Sequence, residues 1–124
     1  MKLPSADPKA VSWFEELTPE GPNVTTKLMF GQPAAFVNGN LFFGVFGAAL
    51  FVRLSERDRT EADSLGGFGT FEPMAGHIMA GYLTLPSAFR TDRTRSRAWV
   101  DRARRFAEGL PPKRPKAKGK AKSR

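Results

Sequence analysis

Apolar residues recur at two different periods along this chain, and each change of period marks an element. Ala10, Trp13, Phe14 and Leu17 stand at i, i+3, i+4 and i+7, the spacing of one helix face. Asp7 can accept from the first free amides, and Pro8 at the first helical position gives up no bond, so the helix begins there. Pro19 and Gly21-Pro22 stop it. From Val24 the pattern is that of strands. Residues 24–37 read as one long strand, in which Pro33 cannot donate to a ladder and is expected at a bulge or bend. Asn38-Gly39 is a hairpin signal, because a type I′ turn needs positive φ at both central residues. Residues 40–46 form the next strand, Gly47-Ala48 suits a II′ turn, and residues 49–54 complete a three-stranded antiparallel meander.

Ser55 caps a short polar helix, with Asp58 at the capping-box position and Ala62 and Leu65 turned inward. Gly66-Gly67 ends it. Two more strands are predicted over 69–73 and 78–85, joined by a loop that holds Gly76 and His77. A last helix over about 91–108 buries Trp99, Ala103, Phe106 and Ala107, with Gly109 at C′ and Pro111-Pro112 beyond. The order α-β-β-β-α-β-β-α implies a two-layer α+β fold, an antiparallel sheet of about five strands with helices packed on it.

Composition agrees with one folded unit. The 124 residues suit a single domain, and eleven Phe with two Trp suffice for a core without staples. Cysteine is absent, which excludes disulfides, thiolate nucleophiles and Cys-ligated metals. No apolar run reaches the roughly 20 residues of a membrane span, and the N-terminus lacks a signal peptide's apolar core, so a cytoplasmic protein is expected. The net charge of +8 is uneven. Lys113, Arg114, Lys116, Lys118, Lys120, Lys122 and Arg124 follow Leu110 with no acid among them. Residues 1–110 are therefore the expected domain and 111–124 a disordered basic tail, of the kind that meets nucleic-acid phosphates without reading bases. A solubilising tail with no ligand is the other reading.

Candidate chemistry is sparse. His77 is the only histidine and has no second ligand to join it, so neither a metal nor a cofactor is expected. Tyr82 reads as a sheet residue. Glu61, Asp63 and Glu72 have no spacing that sets two carboxylates on one wall, which acid–base work requires first. Gly66-Gly67-Phe68-Gly69 follows a helix and lacks the Lys-Ser/Thr of a phosphate loop. Arg93, Arg95, Arg97, Arg102, Arg104 and Arg105 lie on the last helix among Asp92, Asp101 and Glu108; they form either a solvated, ion-paired face or a nucleic-acid face. Phe42, Phe43, Phe46 and Phe51 are the candidate interface. Consecutive Phe42-Phe43 should point to opposite sheet faces, leaving one ring open for a protein partner or a second copy, unless a helix or a bulge covers it.

Lys27-Leu28-Met29-Phe30-Gly31, Phe36-Val37-Asn38-Gly39, Phe71-Glu72-Pro73-Met74 and Gly81-Tyr82-Leu83-Thr84-Leu85-Pro86, closed by a Trp-containing helix, resemble the N-terminal domain of the TfoX/Sxy family. That family is best known from bacterial regulators of competence genes. The resemblance spans roughly residues 24 to 110. It implies a two-layer α+β fold and a small bacterial protein with no catalytic residues to carry over. The competence regulators usually add a C-terminal domain where this chain has its basic tail. A non-enzymatic regulatory or accessory protein follows, working through protein contacts with weak tail affinity for nucleic acid. A purely protein-binding, dimeric adaptor with an inert tail is the alternative, and a small-ligand binder or enzyme with a hidden pocket the third.

Overall fold

The computed structural model describes residues 5–113. Helix α1 spans Pro8–Leu17, and the Asp7 carboxylate accepts from the Lys9 amide at 2.9 Å. Its four predicted apolar residues are all buried. Thr18 ends the helix by donating both its amide and its hydroxyl to the Phe14 carbonyl.

Six strands follow among the described residues, not five, in the order β1-β2-β3-β4-β6-β5 with every neighbouring pair antiparallel. They are β1 (Val24–Met29), β2 (Gln32–Val37), β3 (Asn40–Phe46), β4 (Ala49–Arg53), β5 (Gly69–Thr70) and β6 (Tyr82–Thr84). The extra strand arises because residues 24–37 fold back on themselves. Phe30 (φ 57°) and Gly31 (φ 76°) make a two-residue turn, and Met29 pairs with Gln32. A phenylalanine in that left-handed region costs roughly 1–2 kcal/mol. Its ring meets Phe46 at 5.9 Å and Phe71 at 6.4 Å, contacts that hold it there. Pro33 is not at a bulge. It sits opposite Leu28, one residue before pairing with β3 begins at Ala34–Gly44, so its missing N–H faces no ladder partner. The Gln32 side chain reaches past it to accept from the Gly47 amide at 2.8 Å. Asn38-Gly39 turns with both φ positive, as expected of a I′ hairpin, and Gly47 alone is positive in the next turn.

The bulge lies elsewhere. Ala35 pairs with Phe43 and Phe36 with Leu41, which leaves Phe42 as the extra residue of β3. The inserted residue resets the alternation, so Phe42 and Phe43 both enter the same core and both are fully buried. The expectation that one ring of this pair lies open is corrected.

Helix α2 (Glu56–Leu65) is capped by Ser55, whose hydroxyl accepts from the Asp58 amide at 3.1 Å. Ala62 is buried, but Leu65 points outward at 63% exposure, a second correction: one apolar residue is all this short helix needs against its neighbours. A 3₁₀ turn over Ser87–Thr91 leads into α3 (Arg93–Glu108), capped by Asp92 accepting from Arg95. Ser96, Trp99, Val100, Ala103 and Ala107 form its buried stripe, while Phe106 is half-buried. Gly109 ends the helix in the right-handed region, so its left-handed freedom is unused and Pro111-Pro112 do the stopping.

Two cores result, one on each sheet face. Helices α1 and α3 cover the first, where Phe14 stacks on Phe43 at 4.6 Å. A buried relay pins the layer: Trp13 Nε1–H donates to Ser96 Oγ at 3.1 Å, and that hydroxyl donates to the Phe89 carbonyl at 2.7 Å. The second face is closed by chain instead of helix. Residues 71–81, expected as two strand ends joined by a loop, leave the ladder and fold over β2, β3 and β4. Phe71 is the plug, stacked on Phe51 at 4.2 Å and 10° and edge-on to Phe46 at 5.5 Å. With Ala34, Leu41 and Tyr82 these residues make the smaller core.

Candidate functional site

Where the ionisable side chains sit decides what chemistry is available. His77 is exposed, and its amide donates to the Met74 carbonyl in the loop over the second face. The Glu72 carboxylate accepts from the Gly76 amide and so closes the same loop. Glu61 is on α2, bound to α3: Arg102 holds it in two bonds of 3.0 and 3.1 Å and reaches Asp58 at 3.1 Å. The bond from Arg102 draws the Glu61 carboxyl below the usual carboxylate range, against a smaller opposing effect of desolvation. The guanidinium, in turn, is raised by that partner and lies 4.2 Å from the centre of the Trp99 ring. It clamps α2 to α3.

Most of the arginine row on α3 is likewise committed. Arg93 pairs with Glu16 of α1, Arg95 with Asp92, Arg104 with Glu108 and Arg105 with Asp101. Arg97 has no ion pair among the described residues. It lines an open furrow of about 590 Å³ between α1 and α3, together with Leu17, Pro19, Arg93 and Arg104. Its lining also holds Thr94 and Asp101 but no histidine, and the Asp101 carboxylate is paired with Arg105. Tyr82, the single tyrosine, is buried in the smaller core, and burial pushes its hydroxyl above the ordinary phenol value, partly offset by nearby Arg53. Among the described residues no group of three His, Asp or Glu is arranged to hold a metal ion, and no helix is long and apolar enough to cross a membrane.

Of the four candidate interface rings, Phe42, Phe43 and Phe51 are buried and Phe46 half-buried, so they are core first. The bulge and the Phe71 loop account for this. Of the tail residues, Lys113 is held: its amide donates to the Asn38 carbonyl at 2.8 Å, and the Asn40 side chain donates to the Pro111 carbonyl at 3.1 Å. Contacts with the domain thus run three residues past Leu110. They also explain Gly39, since a Cβ there would stand 2.0 Å from the Lys113 carbonyl oxygen. Arg114, Lys116, Lys118, Lys120, Lys122 and Arg124 lie outside the described residues.

One surface went unnoticed in the sequence. Strand β1 ends the strand order, and Thr25, Thr26, Lys27 and Leu28 are all exposed, Leu28 by 73%. The far edge is only the two-residue β5. The signal was there in β1's lack of clean alternation, which a strand with one neighbour and little cover does not need.

The family model of the TfoX N-terminal domain matches residues 15–107. The chain belongs to that family. The match runs from late α1 to the last turn of α3, so it takes in the whole sheet, the Phe71 loop and the α2–α3 clamp. It opens nine residues before the stretch in which the resemblance was first legible. No match is found among curated proteins or among solved structures. In this TfoX N-terminal domain, then, the grooves are interhelical furrows, and the open structural feature is a sheet edge.

Proposed function

We propose that this member of the TfoX N-terminal domain family is a regulatory or accessory protein that acts by touching other macromolecules and not as a catalyst. The observation that carries this reading is where the charges go. Five of the six arginines on α3 are bound to carboxylates within the domain, and Glu61, Asp58 and Glu72 are partners in fold-closing bonds. Side chains used to hold helices together are not poised to exchange protons with a substrate. The same pairing argues against α3 as a nucleic-acid face, since five of its six arginines would first give up a carboxylate.

Affinity for nucleic acid falls instead to the six cations beyond Lys113, which add no acid of their own. Their binding would be weak and indifferent to base sequence, because lysine and arginine charges on phosphates carry no base readout. If about four of them engage a duplex, log K falls against log[salt] with a slope of roughly −3.6. Fluorescence anisotropy on a labelled duplex should give that slope for the full chain. A chain ending at Lys113 keeps the contacts to Asn38 and Asn40 and should lose at least tenfold in affinity at low salt. Equal binding by both would remove the tail from the account and return the question to α3.

A further inference from the structure

Among the described residues the sheet carries a core on each face and nearly ends at β5, so β1 is where its hydrogen-bonding capacity remains open. The direction of that capacity follows from the hairpin. Across the two-residue turn at Phe30-Gly31, Met29 and Gln32 exchange both backbone bonds, and alternation gives the same to Lys27 and Thr25. The amides and carbonyls of Thr26 and Leu28 therefore aim at the open edge, with the Val24 carbonyl beside them. Natural edges are commonly guarded by a bulge, a proline or an outward lysine. Strand β1 has no proline and pairs with β2 without a register shift. Its one charge, Lys27, lies over the Phe36 ring of β2 at 4.8 Å, turned back from the edge.

We infer that β1 is a self-pairing edge: it joins β1 of a second copy, antiparallel, about a two-fold axis through Thr26. The inference rests on the contact reading above and names its partner. Strand β1 is complementary to itself in one register. With Thr26 against Thr26, the two threonines exchange both backbone bonds and Leu28 meets Val24 in each direction. Val24 packs against the main core, and Thr26 and Leu28 share its side of the sheet by alternation. That pairing lays the exposed Leu28 against an apolar neighbour on the helix side. It also sets Lys27 across from Thr25. Sliding by one hydrogen-bonded step, to Thr26 against Leu28, places Lys27 against its own copy, and like charges directly opposite are destabilising. Charge and apolar contact select the same register.

Sedimentation of the full chain over a concentration series should show a reversible monomer–dimer equilibrium. Thr26→Pro removes an amide that β2 does not use, so the variant should stay monomeric at concentrations where the parent dimerises, with an unchanged circular dichroism spectrum. Should that variant fail to fold, Thr26→Cys gives an independent reading, because the chain has no other cysteine. Placed on the axis, it should oxidise to a covalent dimer much faster than Ser64→Cys on exposed α2. A parent that is monomeric at its highest soluble concentration overturns the inference, as does a Thr26→Pro variant that dimerises normally or equal cross-linking at the two cysteines. If the parent becomes dimeric only when cut after Lys113, the occupant is its own C-terminal segment and self-pairing is likewise overturned. A monomer that still binds another protein sinks this inference and leaves the contact reading standing.

Discussion

Replacing Phe71 by Ala should cost about 3–5 kcal/mol, the range for a buried Phe truncated in a packed core. The residue is 1% exposed and touches Phe51, Phe46, Phe30 and Tyr82, so its removal leaves four rings facing an empty space. The loss should fall at the top of that range. The loop that carries Phe71 is short of other anchors: Met79 bonds back to the Phe71 carbonyl, Glu72 and Met74 close the tip on Gly76 and His77, and Met74 and Ile78 are exposed. Buried Pro73 and half-buried Met79 are the other inward contacts of that loop, and both are smaller than the Phe71 ring. Denaturant titration should show the midpoint moving by the full amount, and the melting temperature should fall by roughly 10–20 °C. The freed face would also bind a hydrophobic dye. A loss below about 1 kcal/mol would mean that residues 71–81 do not close the second face.

The opposite error, added volume, should be nearly as damaging at Gly44. A Cβ there would lie 2.6 Å from Phe51 Cζ, 2.8 Å from Phe51 Cε2 and 3.0 Å from the Ala34 Cβ. Gly44 is fully inside the sheet, and the ring it faces is itself stacked on Phe71, so the Phe51 ring has no free direction to move. Gly44→Ala is expected to destabilise by about 1–3 kcal/mol, the usual cost of overpacking. The cause is checkable by a double-mutant cycle. Phe51→Leu alone should destabilise, yet in the Gly44→Ala background it should cost far less, because the smaller side chain makes room for the new methyl. Additive losses would show that Gly44 is needed for some other reason. Both variants act on the same stack, so together with Phe71→Ala they test whether the smaller core is one cooperative unit.

The sequence disclosed the parts whose local chemistry and tertiary environment agree. Helix α1 has a cap, a proline start and a clean apolar face; Asn38-Gly39 is the residue pair a I′ turn prefers; residues 91–108 read as an amphipathic helix closed by two prolines. Three features were hidden because packing decided them. Phe30 occupies a left-handed position that asparagine or glycine would ordinarily mark, so the sequence pattern of the first hairpin is that of one interrupted strand. The bulge at Phe42 has no marker of its own, and without it Phe42-Phe43 must be assigned to opposite faces. Residues 71–73 and 78–81 look like the ends of two strands around a loop, yet Phe71 gains more from burial on the open face than from continuing the ladder beside β6. The candidate site suffered most from these three. With period two broken, Phe42 and Phe43 share one core, and the open ring on which the interface argument drew is not there. The charged pairs of α3 were legible from their i,i+4 spacing, but the clamp of Arg102 on Asp58 and Glu61 joins residues more than forty positions apart.

If contact is made at β1, the tails of two paired copies would leave near their respective Asn38-Gly39 turns, since Lys113 is tied to Asn38. Two weak cationic tails on one dimer would act at a high effective concentration on the same polyanion. Dimerisation and nucleic-acid affinity would then rise together, and Thr26→Pro would weaken both.

The sharpest single test is amide hydrogen exchange along β1, measured residue by residue on the full chain at low and high concentration. At low concentration Thr25, Lys27 and Met29 should be protected by β2, while Thr26 and Leu28 exchange freely. At high concentration Thr26 and Leu28 should slow and the others remain as they were. Protection of Thr26 and Leu28 at every dilution, or at none, would contradict an open edge that closes on its own copy.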